Sequence, residues 1–383
     1  MPLIKSCLLK LSVIILNYNV RYFLELCILS VQKAITSLEA EIIVIDNNSS
    51  DDSCEMVKKN FPTVTLIENK ENIGFAKANN QGVAVAKGEY LCILNPDTVV
   101  TEDTFVTMIN KSEKLLLAGM IGPRLIDGTG NFLPESKRNV PSPLTSFKRL
   151  FGIKLGKVKN YYADHIAETQ IGDVDILVGA FILTKKLDYE SVAGFDEDYF
   201  MYGEDIDLSY KMKKKGMVNY YIGTVPVIHY KGESTDRNTE YIKRFYGAMR
   251  LFYDKHFKSN WFLDLMVSTG IRLTSVVQSF KNHQREKQTV NQYYLISENE
   301  ALRDKLIQVL QKEVQLISLE SIKNLGYTNN ELIFDNEILS FGEIIKAMQQ
   351  LRMSNTTFKI KPAGCDYILG SDFSDGKGEV ITF

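Results

Sequence analysis

Acidic and amide side chains directly follow a short apolar run at residues 90–94 (YLCIL), where they could bind a metal ion. The tripeptide is Asn95-Pro96-Asp97. A carboxylate in this position suits a hard divalent cation, which prefers oxygen ligands and bridges phosphate groups. Asn, Pro and Asp are also the residues that turns favour. The tripeptide alone therefore leaves a cation site and a plain turn open.

A second acidic group stands at a predicted helix start, where Glu204, Asp205 and Asp207 fall within four positions. Acids near a helix N-terminus are stabilised by the helix dipole, which is a sufficient structural reason for them. Three acids exceed what capping needs, and a carboxylate held ionised at a cleft suits a general base. His229 ends a later apolar run, where a structural role and a ligand role both remain open.

The elements that would position these side chains are strands alternating with helices. Apolar runs at 11–16, 41–45 and 90–94 alternate with helical patterns at roughly 21–38, 51–60 and 75–87. Near-continuous apolar strands of this kind predict a parallel sheet covered on both faces, and hence an α/β fold. Ligands of such sheets bind beyond the carboxyl ends of the strands.

Further polar residues stand at the same predicted edge of the sheet. Asn17 and Asn19 follow the first strand, and Asp46 and Asn48 end the second. A carboxylate at the position of Asp46 often holds a ribose or base. Gly74 and Lys77 begin the third helical pattern, and helix N-termini and lysines both suit phosphate. An ordinary capped helix is the alternative there.

The middle of the chain is less regular. Residues 127–165 contain several glycines, prolines and basic residues, including Lys137 and Arg138, and are predicted to form a long loop over the sheet. A strand is predicted at 174–183, followed by the helix that Glu204 opens and a short strand at 225–229. Residues 240–281 look helical, and an amphipathic stretch runs from 261 to 281.

The last hundred residues predict a separate small α/β unit. Strands are expected at 293–296, 314–319, 331–334 and 357–360, and helices at 299–312 and 340–353. A dinucleotide site would need a glycine-rich turn after the first strand. The turn here is Ser297-Glu298-Asn299-Glu300, so we expect an accessory module that binds no nucleotide, with catalysis residing in the first 283 residues.

Composition limits the class of protein. The chain has 383 residues, 45% apolar and 24% charged, with a formal net charge of −2. This charge gives no overall attraction to nucleic acid. Five cysteines without a C-x-x-C pair disfavour a disulfide framework and a cysteine zinc site, and they fit a reducing cytoplasm.

The order of the motifs resembles that of the family 2 glycosyltransferases of the GT-A fold, and is especially similar to their bacterial rhamnosyltransferase-like branch. The segments that carry this resemblance span about residues 10–235 and are SVIILNYN, IIVIDNNSSDDS, NIGFAKANNQGVAVAKGEYLCILNPDTVV, GAFILTKKLDYESVAGFDEDYFMYGEDIDLSYKMKKKG and VIHYKGES. The C-terminal unit is more weakly similar to small Rossmann-like domains that accompany some sugar transferases.

The resemblance implies a role for each site residue. Asp46 would contact the nucleotide, with Asn17, Asn19, Asn48, Gly74, Lys77 and Asn95 lining the donor site. Asp97 and His229 would hold a divalent cation, Mg²⁺ or Mn²⁺. Asp205, with Glu204 beside it, would be the catalytic base. Asn95 replaces the first acid of the family's Asp-x-Asp motif and brings no charge.

The expected function is inverting transfer of a sugar from a UDP- or dTDP-sugar, with dTDP-rhamnose as a candidate, to a surface polysaccharide or lipid-linked acceptor. The expected organisation is a GT-A domain at 1–240, a helical extension at 241–283 and a Rossmann-like unit at 284–383. Membrane contact, packing on the protein core and a homodimer interface all remain open for the extension. The expected location is the cytoplasm, at the inner face of the membrane. The alternatives are a sugar-nucleotidyltransferase and a non-catalytic glycan-binding scaffold.

Overall fold

The computed structural model of the protein describes residues 9–140, 161–233, 239–257, 289–325, 329–352, 355–374 and 376–383. The first part of the chain forms one sheet in the order β3-β2-β1-β4-β8-β6-β9-β5, with β7 paired to β9. Its strands are β1 (Leu11–Asn17), β2 (Ala40–Asp46), β3 (Thr65–Glu68), β4 (Tyr90–Leu94), β5 (Thr98–Val99), β6 (Ala118–Ile126), β7 (Ile171–Val174), β8 (Phe181–Lys185) and β9 (Val218–His229).

Helices cover both faces of this sheet, which explains why its central strands are apolar on both sides. They are α1 (Arg21–Ala34), α2 (Ser53–Asn60), α3 (Phe75–Val85), α4 (Thr104–Ser112), α5 (Lys186–Ser191), α6 (Glu204–Lys214) and α7 (Thr239–His256). Strands β3, β2, β1 and β4 are parallel. Their carboxyl ends therefore meet at one edge, with Asn17 in register with Asp46. The α/β fold predicted from the sequence is confirmed.

The predicted strand at 174–183 is wrong in its extent. Strand β7 ends at Val174 and β8 begins at Phe181. Between these strands, two backbone groups bond to candidate site residues. The Gly179 N–H donates to the Asp205 carboxylate, and the Ala180 carbonyl accepts from the Asn95 N–H. The strand predicted at 225–229 is longer than expected, because β9 begins at Val218.

The C-terminal part forms a second sheet in the order β11-β10-β12-β13-β14-β15. Strands β10 to β13 are parallel, and β14 and β15 run antiparallel at one edge. The elements are β10 (Gln292–Ile296), α8 (Glu300–Leu310), β11 (Val314–Ile317), β12 (Asn330–Asp335), α9 (Phe341–Leu351), β13 (Thr356–Lys361), β14 (Tyr367–Gly370) and β15 (Glu379–Thr382). The small α/β unit is thus present, whereas the domain limits at 240 and 283 stay predictions.

The two sheets share one hydrophobic cluster, which we call the joint core. From the first sheet and its helix α1 it contains Val20, Phe23, Leu26, Val99, Ile126, Ile228 and Tyr230; from the second it contains Phe334, Phe341, Ile344, Met348, Phe358, Ile360, Leu369 and others. Val99 and Ile228 are register partners, next to the pair formed by Thr98 and His229. The second unit therefore packs against β5 and β9, next to Asp97 and His229.

Polar contacts add to the joint core. The carboxylate of Glu102 accepts hydrogen bonds from the backbone N–H groups of Phe341 (2.7 Å) and Gly342 (3.0 Å), at the first turn of α9. A carboxylate at a helix N-terminus is favoured by the dipole and satisfies otherwise orphan donors. The Tyr367 hydroxyl donates to the buried Glu25 carboxylate at 3.1 Å.

The predicted helical extension is described only in part. Helix α7 ends at His256, and its Phe252 is fully buried in a cluster with Tyr199 and Ile206. The amphipathic stretch from 261 to 281 lies outside the described residues. No helix within the described residues is both long enough and apolar enough to cross a membrane.

Candidate active site

The ends of β1 and β2 form a buried polar network at the ligand edge of the sheet. The Asn17 amide donates to Asp46 Oδ1 at 2.7 Å and to the Ser49 hydroxyl at 3.0 Å. Asp46 Oδ2 accepts from the Ser49 N–H at 2.8 Å. Asp46 is only 2% exposed, and Asn17 is fully buried. These bonds fix the Asp46 carboxylate at the ligand edge of the sheet.

Two loop residues beside this network adopt left-handed backbone conformations, Asn19 with φ 56° and Asn48 with φ 65°. Asparagine tolerates this region better than most residues. The Asn19 side-chain oxygen accepts from the Ser50 N–H at 2.6 Å, which ties the loop after β1 to the loop after β2. Asn48 is exposed at the tip of the second loop.

Gly74 is required by the backbone at the start of α3. It has φ 87°, and a Cβ at this position would lie 2.6 Å from the Phe200 carbonyl oxygen. The Phe75 N–H donates to that same oxygen at 2.7 Å. Gly74 thereby brings the start of α3 against the loop that leads into α6. Lys77, near the start of α3, is exposed.

Asp97 and His229 face each other across the short β5–β9 pairing. Asp97 Oδ1 lies 3.5 Å from His229 Nε2, and the same nitrogen lies 3.4 Å from the Asn95 amide. Asp97 and His229 are 5% and 7% exposed. Asp97 is held by two backbone contacts, since its carbonyl accepts from the Tyr230 N–H (2.9 Å) and its Oδ2 from the Lys231 N–H (3.1 Å).

Asp97 and His229 fit a divalent cation whose remaining ligands are phosphate oxygens and water. Asp97 Oδ1 and His229 Nε2 converge, and the buried His229 Nδ1 has no hydrogen-bond partner among the described residues. Within the described part of the chain, no group of three or more His, Cys, Asp and Glu side chains could hold an ion by itself. Mg²⁺-type sites commonly use one or two protein carboxylates together with phosphate oxygens and water.

Glu204 and Asp205 open α6 after Gly203, whose φ of 94° sets the turn into the helix. Asp205 Oδ2 accepts from Arg138 Nη2 at 2.6 Å and from the Gly179 N–H at 3.1 Å. Burial, and then the negative charge of Asp205, raises the pKa of the Glu204 carboxyl. Like-charged carboxyl groups this close share protons as a pair.

The segment Gly179-Ala180 brings these two groups of residues together. Its Ala180 carbonyl accepts from the Asn95 N–H at 2.9 Å, and its Gly179 N–H donates to Asp205. Asn95 of the candidate metal motif and the candidate base Asp205 thus bond to two neighbouring residues just before strand β8 begins. Asp205, at the start of α6, is thereby brought beside the carboxyl end of β4, where Asn95 and Asp97 follow the strand, and ligands of such sheets bind at this edge.

Sequence reasoning missed three participants. Arg138 is buried against Asp205, although it lies in the stretch interpreted as a loop over the sheet. Lys231, with φ 61°, pairs with Glu135 beside the Asp97–His229 pair. Burial opposes ionisation of Glu135, but the Lys231 charge and hydrogen bond outweigh it and lower the pKa of this carboxyl. No local signal marks these pairs, because their members are far apart in the chain.

The sheet topology and the polar residues at its ligand edge resemble those of nucleotide-diphospho-sugar transferases of the GT-A fold. Residues 12–169 match the family model described as "Glycosyl transferase family 2". Residues 12–169 therefore resemble that family, as the motifs in this part of the chain indicated.

Two curated relatives and one solved structure are similar to this chain. The chain is 27% identical over 245 residues to the N-acetylglucosaminyl-diphospho-decaprenol L-rhamnosyltransferase of Mycobacterium tuberculosis, covering 60% of this chain and 78% of the relative. It is 31% identical over 168 residues to the rhamnosyltransferase WbbL of Escherichia coli K12, covering 41% and 61%. The mannosyltransferase PcManGT of Pyrobaculum calidifontis, solved with GDP-Man and Mn²⁺, aligns with 16% identity and a TM-score of 0.47 over 73% of this chain and 77% of that one.

Proposed function

We propose that this enzyme transfers a sugar, with inversion, from a UDP- or dTDP-sugar to a surface polysaccharide or lipid-linked acceptor in the cytoplasm. The observation that carries the proposal is the pair of backbone bonds from Gly179-Ala180 to Asp205 and Asn95. It unites an acid–base group with a cation-binding pair at the ligand edge of the sheet. The two rhamnosyltransferase relatives make dTDP-rhamnose the first donor to test.

In the proposed mechanism, the fixed Asp46 carboxylate holds the nucleoside of the donor. Asn17, Asn19, Asn48, Gly74, Lys77 and Asn95 form the walls of the donor site. Asp97 and His229 would hold a divalent cation, Mg²⁺ or Mn²⁺, which neutralises charge on the departing diphosphate. Asn95 adds a neutral amide to this pair, so the protein supplies less negative charge than two acids would.

Asp205 is proposed as the general base that takes the proton of the acceptor hydroxyl as it attacks the anomeric carbon. A single in-line displacement from the opposite face inverts that carbon. Glu204 is buried beside Asp205, and its protonation sets the net charge of these two carboxyl groups. The acceptor would be an N-acetylglucosaminyl diphosphoprenol or a related glycan, which also supports a location at the inner face of the membrane.

A transfer assay tests this proposal. The protein is incubated with dTDP-rhamnose or UDP-N-acetylglucosamine and a short-chain N-acetylglucosaminyl diphosphoprenol, with and without Mn²⁺, and free nucleotide and product are quantified. We expect transfer that depends on the metal ion and is lost in Asp205→Asn by about 10²–10⁴-fold. Sugar-dependent nucleotide release from neither donor would favour a glycan-binding scaffold, and formation of nucleotide sugar from a sugar phosphate would favour a nucleotidyltransferase.

Membrane contact and homodimerisation are proposed as secondary properties. A lipid-linked acceptor requires approach to the bilayer, and residues 261–281 have the sequence pattern of an interfacial helix. Flotation with anionic vesicles tests the first, and light scattering at several protein concentrations tests the second. A protein that stays in the soluble fraction at low salt would assign recruitment to the acceptor alone.

A further inference from the structure

Arg138 makes an unusually complete set of contacts around the Asp205 carboxylate. Its Nη2 donates to Asp205 Oδ2 at 2.6 Å and to the Leu177 carbonyl at 2.9 Å. Its Nη1 lies 3.3 Å from the Tyr161 hydroxyl. Its backbone is bridged to Ile176 through both N–H and carbonyl groups. The guanidinium is therefore fixed by the same segment that leads to Gly179.

The pair is buried, so the interaction is screened little by solvent. The side chains of Arg138 and Asp205 are 9% and 11% exposed. Burial alone would lower the pKa of the Arg138 guanidinium, but the Asp205 charge raises it overall. Arg138 is thus a permanent cation in the site. Removing one partner of such a pair leaves an uncompensated charge, which makes the pair sensitive to substitution.

The two oxygens of Asp205 are used unequally. Oδ2 accepts one hydrogen bond from the Arg138 side chain and one from the Gly179 backbone N–H. Oδ1 accepts only the adjacent Ile206 N–H, at 2.8 Å, among the described residues. A carboxylate oxygen has room for a second donor. The bonds to Oδ2 fix the rotation of the carboxylate and leave Oδ1 for an incoming hydroxyl.

The surrounding charges decide the protonation of the pair. Arg138 and Glu204 interact with Asp205, the Tyr161 hydroxyl interacts with Arg138 on its other side, and Tyr199 interacts with Glu204 from the loop before α6. Glu204 Oε2 is buried without a hydrogen-bond partner in the described part of the chain, which favours its neutral form. With the Arg138 guanidinium charged, one proton held by the pair of carboxyl groups leaves the group of three electrically neutral.

We infer that Arg138 is a positioning residue for the proposed base: it orients the Asp205 carboxylate so that Oδ1 faces the acceptor hydroxyl. The inference rests on the proposed function. It adds a cation from the 127–140 segment to a site otherwise built from strand ends and a helix start. The Arg138 charge opposes the rise in the pKa of the Glu204 carboxyl. Without this cation, the pair of buried carboxyl groups would therefore keep a proton to a higher pH.

The experiment compares Arg138→Met, Arg138→Lys and a control, Arg124→Met, in the transfer assay from about pH 5 to about pH 9. Arg124 is a half-buried arginine whose Nη2 bonds to Gln349 at 3.3 Å, away from the site. In Arg138→Met, we expect the acid limb of kcat/KM to move up by about one to three pH units. The rate on that limb should fall about tenfold per unit, with partial recovery at high pH. Arg124→Met should keep the acid limb of the parent.

Arg138→Lys separates charge from geometry. It keeps the cation but cannot reproduce the planar fork, so we expect a lower kcat with the acid limb within about half a pH unit of the parent. Thermal unfolding and nucleotide binding by calorimetry verify that each variant is folded. If Arg138→Met does not fold, the lysine variant decides: an acid limb shifted by more than about one unit overturns the inference.

The outcomes distinguish the inference from the proposed function. A parent protein that transfers normally, with an Arg138→Met variant that loses rate equally at every pH, would show that Arg138 only supports the fold. An Arg138→Met variant with the pH profile of the parent would overturn the inference in the same way. A parent protein that transfers sugar from neither donor would contradict the proposed function itself, and the inference with it.

Discussion

Replacing Phe23 with alanine tests whether the joint core positions the proposed cation site. Phe23 is 5% exposed, and its ring packs edge-on against Tyr230 with centroids 5.1 Å apart. It also contacts Gly378 of the C-terminal unit, since a Cβ at Gly378 would lie 2.5 Å from the Phe23 ring. Tyr230 directly follows His229, and its N–H donates to the Asp97 carbonyl.

The magnitude follows from burial and from this chain of contacts. Truncating a buried phenylalanine costs about 3–5 kcal/mol of stability, within the roughly 5–15 kcal/mol that a domain usually has. The variant should therefore fold with a lower melting temperature. If loosening Tyr230 displaces Asp97, Mn²⁺-dependent affinity for dTDP should also fall, by about tenfold, which corresponds to about 1.4 kcal/mol.

Phe61→Ala is the matched control. Phe61 is 4% exposed and belongs to the hydrophobic cluster between the first sheet and helices α1 and α2. We expect a similar loss of melting temperature with dTDP affinity unchanged, as measured by calorimetry in saturating Mn²⁺. Equal nucleotide affinity in the two variants would refute the reasoning, because packing at the joint core would then have no effect on the cation site.

Three further substitutions test single contacts. Asp97→Ala should weaken dTDP binding only when Mn²⁺ is present; equal affinity for parent and variant with the metal would make Asp97 a turn residue. Glu102→Gln should lower the melting temperature modestly, by about 1 kcal/mol of stability, because a charged acceptor at the α9 N-terminus becomes neutral; an unchanged melting curve would remove this contact from the interface. Burial raises the pKa of the Glu233 carboxyl to about 7, and the negative charge of Asp97 adds to this rise. The hydrogen bond from the Gly378 N–H acts in the opposite direction and lowers the pKa. The folded protein therefore binds more protons than the unfolded chain, and Glu233 lowers stability as the pH rises. Glu233→Gln should accordingly stabilise the protein increasingly from about pH 5 to about pH 7, and a constant difference in thermal unfolding would contradict this.

The sequence was sufficient for the strands and helices that carry strong periodic or continuous apolar signals. Strands β1, β2 and β4 and the start of α6 lie where their patterns indicate, and these elements carry Asn17, Asp46 and Asp205. The pattern of apolar and polar residues along a strand or helix is a property of the local sequence. Elements with a clear pattern can therefore be predicted from that sequence alone.

What escaped prediction depends on contacts between distant residues. Arg138 meets Asp205 across 67 positions of sequence, from a stretch rich in glycine and proline that has no periodicity. The short strands β14 and β15 are antiparallel neighbours of only four residues each, too short for alternation to stand out. The joint core was also invisible, because Phe23 and Phe341 each fit an ordinary amphipathic helix.

The joint core has a consequence for how the protein is made. Apolar side chains of α1, including Phe23 and Leu26, leave the ribosome early, but partners such as Phe358 and Leu369 follow only near the end of the chain. At about 5–20 residues per second, this interval lasts tens of seconds. During that time the nascent first domain presents an uncovered apolar face, to which chaperones bind and at which chains associate. Ribosomes stalled before β12 should therefore carry a nascent chain that crosslinks to a holdase chaperone, and release of the completed chain should end that contact.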